Sequence, residues 1–176
     1  TELAQNMRRY SYFSYDIHEA LHLTEQERLI LVDCLIHIQN ELQHYDEQSK
    51  YLITDYIKLV LDFCVRFYDR QFKTRTIENH NVLARMEKLL DDYFLSSLPV
   101  QKGLPTMQYC ADKLCLSANY LGDLVRKVTG VSALKHIHRK TLEIVKLRLD
   151  DQSKSINQIS EELGFSSPQH FNNWFK

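Results

Sequence analysis

With 176 residues, 44% of them hydrophobic and 26% charged, the chain has the length and composition of a soluble globular protein of one or two small domains. No run approaches the ~20 apolar residues of a membrane span, and the opening TELAQNMRRYSYF has no signal-peptide core, so a membrane or secreted protein is not expected. Only 4 Gly and 3 Pro interrupt long stretches rich in Leu, Lys, Glu, Gln and Asp, which favours helices over a many-stranded sheet and predicts an all-α fold. The net charge of −1 hides an asymmetry: residues 1–76 carry 9 Lys and Arg against 12 Asp and Glu, whereas residues 96–176 carry 11 against 7. A surface that contacts phosphates would lie toward the C-terminus.

The stretch LTEQERLILVDCLIHIQNELQHY begins with Thr24 and Glu27 at the spacing of a capping box, where hydroxyl and carboxylate each satisfy an orphan amide of the first turn. It predicts a helix over about 25–45, and SKYLITDYIKLVLDFCVRFYDRQF predicts a second over about 49–72. Both are apolar over a wide arc, through Leu29, Ile30, Leu35 and Leu42 in one and Leu52, Ile57, Val60 and Phe67 in the other. A helical hairpin with apolar surface left over is expected to meet another domain or a second copy of itself. After the polar KTRTIENHN, a third helix is expected over about 80–95, ended by SSLPVQKGLP, whose prolines and glycine forbid continuation and leave Thr106 to cap the next element.

The four cysteines, Cys34, Cys64, Cys110 and Cys115, sit in apolar stretches without a C-x-x-C pair and read as small buried thiols of a reducing cytoplasm. HEALH, residues 18–22, matches the H-E-x-x-H signature in which two imidazoles one helical turn apart hold zinc and the glutamate activates water, with Glu41 or Glu47 as an imaginable third ligand. Three fixed positions in five arise readily among 8 histidines, and Thr24 would start a new helix two residues after His22, so a zinc peptidase is only a remote alternative. No catalytic residue, metal or cofactor is expected, and no phosphate loop or nucleophile elbow occurs.

From residue 106 the chain repeats itself. Ala111-x-x-Leu114-Cys115-Leu116-Ser117 aligns with Ser160-x-x-Leu163-Gly164-Phe165-Ser166 at an offset of 49, and Leu121, Leu124, Val125 and Arg126 align with Phe171, Trp174, Phe175 and Lys176 at an offset of 50. Each copy reads as a short helix, a tight turn and a second helix capped by Ser117 in one case and by Ser166 or Ser167 in the other. That is the pattern of a helix-turn-helix, with Gly164 suited to a left-handed helix end. About 19 residues of helix, SALKHIHRKTLEIVKLRLD, join the two copies.

These residues resemble the C-terminal domain of AraC/XylS transcription regulators. The resemblance runs from about residue 78 to the end and includes Tyr120-Leu121, Thr129-Gly130, Leu163-Gly164-Phe165 and Pro168-Gln169-His170-Phe171. It implies two helix-turn-helix motifs, joined by a long helix, that read adjacent major-groove segments of double-stranded promoter DNA. Residues from about 10 to 76 resemble the helical linker of such regulators. The resemblance further implies an N-terminal sensor domain that precedes residue 1 and binds an unidentified effector, a second motif that continues past residue 176, a bacterial cytoplasmic, nucleoid-associated location, and a contact with RNA polymerase. The expected organisation is a linker and dimerisation hairpin over 1–76 and a C-terminally truncated double helix-turn-helix domain over 77–176.

In the first motif the candidate DNA contacts are Ser117, Asn119, Tyr120, Asp123, Arg126 and Lys127. Asn can pair with adenine edges, and Arg and Lys can reach phosphate or guanine. Asp123 is unfavourable near phosphate unless it accepts from a cytosine amine, and Tyr120 reads more readily as packing than as a base contact. In the second motif they are Gln169, His170, Asn173 and Lys176, with Phe171, Trp174 and Phe175 as the anchor of the helix. Lys135, Arg139, Lys146 and Arg148 on the joining helix could add a salt-dependent, sequence-independent affinity. The alternative is a homo-oligomerising or protein-interaction module without useful DNA affinity.

Overall fold

The structure, a computed structural model, describes residues 10–150 and 153–175, with the side chains of residues 76 and 77 left aside. The described residues form nine α-helices and two short 3-10 turns, with no strand. Helix α1 is Glu25–Gln43, α2 Ser49–Thr74, α3 Thr76–Leu95, α4 Leu98–Lys102, α5 Met107–Leu114, α6 Ala118–Thr129, α7 Ala133–Leu149, α8 Ile156–Glu162 and α9 Pro168–Phe175. The chain divides into two compact units, Thr1–Arg75 and Thr76–Lys176.

In the first unit α1 and α2 pack as a hairpin. Thr24 and Glu27 form the expected capping box: the Glu27 amide donates to the Thr24 hydroxyl and the Thr24 amide to the Glu27 carboxylate at 2.8 Å. Asp46 starts α2 by accepting from the amides of Gln48 and Ser49, each at 2.8 Å. The segment before α1 is tied to α2 by two side chains. Gln71 accepts from the His22 amide at 2.7 Å and donates to the Ala20 carbonyl at 3.2 Å, as a neighbouring strand would. Arg70 donates twice to the Glu27 carboxylate, at 3.0 and 2.6 Å, and once to the His22 carbonyl at 2.7 Å. Burial pushes the Glu27 carboxyl up, but its hydrogen bonds from Arg70 and Thr24 together hold it below the usual range. A lowered folded-state value means this contribution to stability is complete at neutral pH and disappears as pH falls below the ordinary glutamate value of 4.5. Arg70→Ala should cost about 1.5 kcal/mol in urea unfolding at pH 7, with the difference from wild type shrinking in acid; a pH-independent difference would contradict this.

The same segment disposes of the zinc motif. Ile17–Glu19 is a single 3-10 turn, Ala20 is already extended at ψ 150°, and Glu19 caps its own turn by accepting from the Asp16 amide at 2.8 Å. His18 and His22 therefore do not share a helical face, and among the described residues no group of three His, Cys, Asp or Glu side chains could hold a metal ion.

The second unit has two cores. One gathers Met86, Leu90, Cys110, Ala111, Leu121 and Val125, and the other Tyr93, Phe94, Val145, Ile159, Leu163 and Phe171. Helix α3 feeds both, through Met86 and Leu90 and then through Tyr93 and Phe94. Helix α7 does the same through Ala133 and Ile137 and then Val145. Two long helices thus hold two short-helix motifs, and burial of each large core side chain contributes roughly 2 kcal/mol to that union.

Two expectations need correction. The third helix starts at Thr76 rather than near 80: KTRTIENHN holds no proline or glycine, and only Arg75, at φ −96° and ψ 34°, leaves the helical region. SSLPVQKGLP ends α3 as expected and also holds the short α4, with Pro99 in its first turn, where a missing N–H costs nothing, and Gly103 at φ 79° ending it. Cys115 is exposed rather than buried, whereas Cys34 and Cys110 are buried. Among the described residues no helix is long and apolar enough to cross a membrane.

Candidate nucleic-acid interface

Both motifs are built from the same three local devices. A hydroxyl starts the first helix: Thr106 accepts from the Tyr109 amide at 3.1 Å, and Ser155 forms a capping box with Gln158. A left-handed residue then ends it. Gly164 takes φ 80°, and at the aligned position Cys115 takes φ 57°, the one positive φ of a non-glycine residue among those described. The amide after each bends back to the small residue of the first helix, Leu116 to the Ala111 carbonyl at 3.0 Å and Phe165 to the Ser160 carbonyl at 2.9 Å. Finally a serine starts the second helix. Ser117 accepts from the Tyr120 amide at 3.2 Å, and of the two candidates in the second motif Ser167 is the cap, accepting from the His170 amide at 3.1 Å.

In α6 the residues Leu121, Leu124 and Val125 are fully buried, and Asn119, Arg126 and Lys127 are on the accessible side. Tyr120 is only 7% exposed, so most of its side chain is packing. Asp123 accepts from Arg126 at 3.2 Å, with the guanidinium largely in solvent. The carboxylate thus partly neutralises the cation beside it. Asp123→Ala should raise affinity for duplex DNA about threefold at low salt and steepen the salt dependence by about one released ion. Weaker binding by the variant would instead mark Asp123 as a base contact.

In α9, Gln169, His170 and Asn173 are exposed along one face, while Phe171 is buried at 2% exposure on the other. Trp174 is half-buried, packed at a tilt on His138 of α7 with ring centroids 4.2 Å apart and set edge-on to Phe165 at 5.3 Å. Phe175 departs from its expected role: it is 38% exposed, lying on Phe171 at 5.9 Å, where the aligned Val125 is fully buried. Lys176 lies outside the described residues. On α7, Lys135, Arg139 and Lys146 face solvent, whereas Lys140 is paired with Asp91 of α3 at 2.9 Å.

A sequence family described as "Helix-turn-helix domain", of the AraC type, matches residues 110–176, from within α5 through α9. Over this segment the chain is similar to AraC-type helix-turn-helix domains. No curated protein and no solved structure matches it. The matched domain is of a DNA-binding regulatory kind rather than an enzyme family, which supports a DNA-binding transcription regulator. The matched segment spans both motifs of this AraC-type domain and both of their exposed polar faces. Two supports of that domain escape a reading of the sequence: the left-handed Cys115, which its alignment with Gly164 could have indicated, and the Pro99–Gly103 segment, for which no local signal exists.

Proposed function

We propose that this chain is a regulator of the AraC/XylS family that places α6 and α9 in adjacent major-groove segments of promoter DNA. The observation that carries the reading is that two motifs with the same cap, left-handed turn and cap present exposed polar faces while sharing α3 and α7 as supports. In α6, Asn119 is the candidate base reader and Arg126 and Lys127 the phosphate or guanine contacts, with Ser117 at the helix start near the backbone. In α9, Gln169, His170 and Asn173 are the readers. Tyr120 positions α6 from beneath. Arg126→Ala and Gln169→Ala should each weaken salt-sensitive binding about fivefold to tenfold in an electrophoretic titration. Two variants that bind like wild type would refute the contact assignment.

The first unit favours self-association. Leu29, Leu35 and Leu42 on α1 are 53%, 56% and 60% exposed, large apolar side chains left uncovered by the hairpin. We read it as the contact between two copies that would set two domains on one operator, and a strictly monomeric mass at micromolar concentration would sink that reading. Response to an effector through an N-terminal sensor, contact with RNA polymerase and action at the bacterial nucleoid complete the proposed mechanism.

A further inference from the structure

At the position where α6 buries Tyr120, α9 presents His170 to solvent, so the repeat is broken at one residue of the exposed face. His170 is also unusually well held for a surface side chain. Its Nδ1 lies 3.0 Å from the Ser166 hydroxyl, its ring stands edge-on to Phe165 at 5.6 Å and 76°, and its amide is fixed by Ser167 at 3.1 Å. We propose that His170 is a specificity-determining residue of the second motif, set by Ser166 to offer Nε2–H to a base edge that presents acceptors, the O6 and N7 of guanine. The proposal rests on the reading of α9 as a recognition helix.

The hydrogen bond to one ring nitrogen decides what the other can do. When the Ser166 hydroxyl donates to Nδ1, the neutral ring carries its proton on Nε2. When the ring is protonated, Nδ1–H donates to Ser166 and Nε2 is again a donor. In both states Nε2 donates, and guanine alone among the bases shows two adjacent major-groove acceptors with no donor beside them. Gln169 and Asn173 on the same face are suited to adenine, so His170 would add a distinct letter to what α9 reads. Ser166 is then a positioning residue: it sets the proton without touching DNA. Because the ring is already braced by Phe165 and Ser166, little side-chain freedom remains to be lost on binding.

Two measurements on the full chain test this. Long-range nitrogen–proton NMR of the free protein should show neutral His170 with its proton on Nε2, and Ser166→Ala should erode that preference. Selection from a random-sequence duplex pool should return a guanine at one position for wild type. His170→Ala should lose about fivefold of that preference while keeping the other positions, and Ser166→Ala should lose part of it with an unchanged melting temperature. A proton on Nδ1 in the wild type, or a His170→Ala consensus that retains the guanine, overturns the inference and leaves the recognition helix standing. Failure of the wild type to select any sequence overturns the recognition-helix reading, and this inference with it.

Discussion

Gly164→Ala should unfold the second motif. The glycine sits at φ 80°, where an L-residue is strained by about 1–2 kcal/mol. A Cβ there would also stand 2.2 Å from the Pro99 carbonyl oxygen, 2.8 Å from its carbon and 2.9 Å from Gly103 Cα. All three are backbone atoms, so relief requires α4 to move away from the α8–α9 turn, and overpacking of this kind adds about 1–3 kcal/mol. The expected loss is about 3 kcal/mol or more, a large share of what holds a unit of this size. Gly130 supplies the internal control. It has a similar φ of 74°, but a Cβ on it would meet nothing within 4 Å, so Gly130→Ala should cost only about 1 kcal/mol. Urea unfolding of the two variants separates close approach from backbone strain: equal losses would show that the contact with Pro99 is not tight in solution.

Phe171→Ala should be nearly as damaging, at about 3–4 kcal/mol. Phe171 is the deepest side chain that α9 contributes, 2% exposed and set edge-on to Phe165 at 5.1 Å. The other two aromatic residues of this helix cannot replace it, since Trp174 is half-buried and Phe175 lies at the surface. An eight-residue helix has little stability of its own, so losing its anchor should release α9 as a unit while the core around Leu121 and Val125 persists. Amide exchange should then rise in α9 well before α6, with base selectivity lost and salt-dependent affinity retained in part. Uniform protection across both motifs in the variant would contradict the anchor role.

What is readable in the sequence is chemistry confined to a few neighbouring residues. The Thr24–Glu27 box, the Thr106 and Ser117 caps and the left-handed Gly164 each depend on residue types within one turn of a helix. The repeat at offsets 49 and 50 raises these local signs to a pair of helix-turn-helix motifs, and the family match over residues 110–176 agrees with that reading. What is not readable depends on distant partners. Pro99 looks like a breaker because nothing nearby tells that α4 forms the seat of Gly164, 65 positions along the chain. Cys115 looks like a core thiol because its apolar neighbours outweigh the geometric demand of the turn, which faces it outward. Phe175 groups with Phe171 by helical spacing alone, yet spacing gives only the side of the helix and not how far the core extends. The polar face of α9 is legible as a set of side chains, whereas the Ser166–His170 contact that sets the chemistry of one of them is not.

The most direct test of two-helix recognition is hydroxyl-radical footprinting of the chain on a duplex enriched from a random-sequence pool, repeated with Arg126→Ala and Gln169→Ala. Two protected segments should appear, with centres about one helical turn or ~10 base pairs apart, one weakened by each substitution. A single protected segment to which both substitutions are indifferent would contradict recognition by α6 and α9.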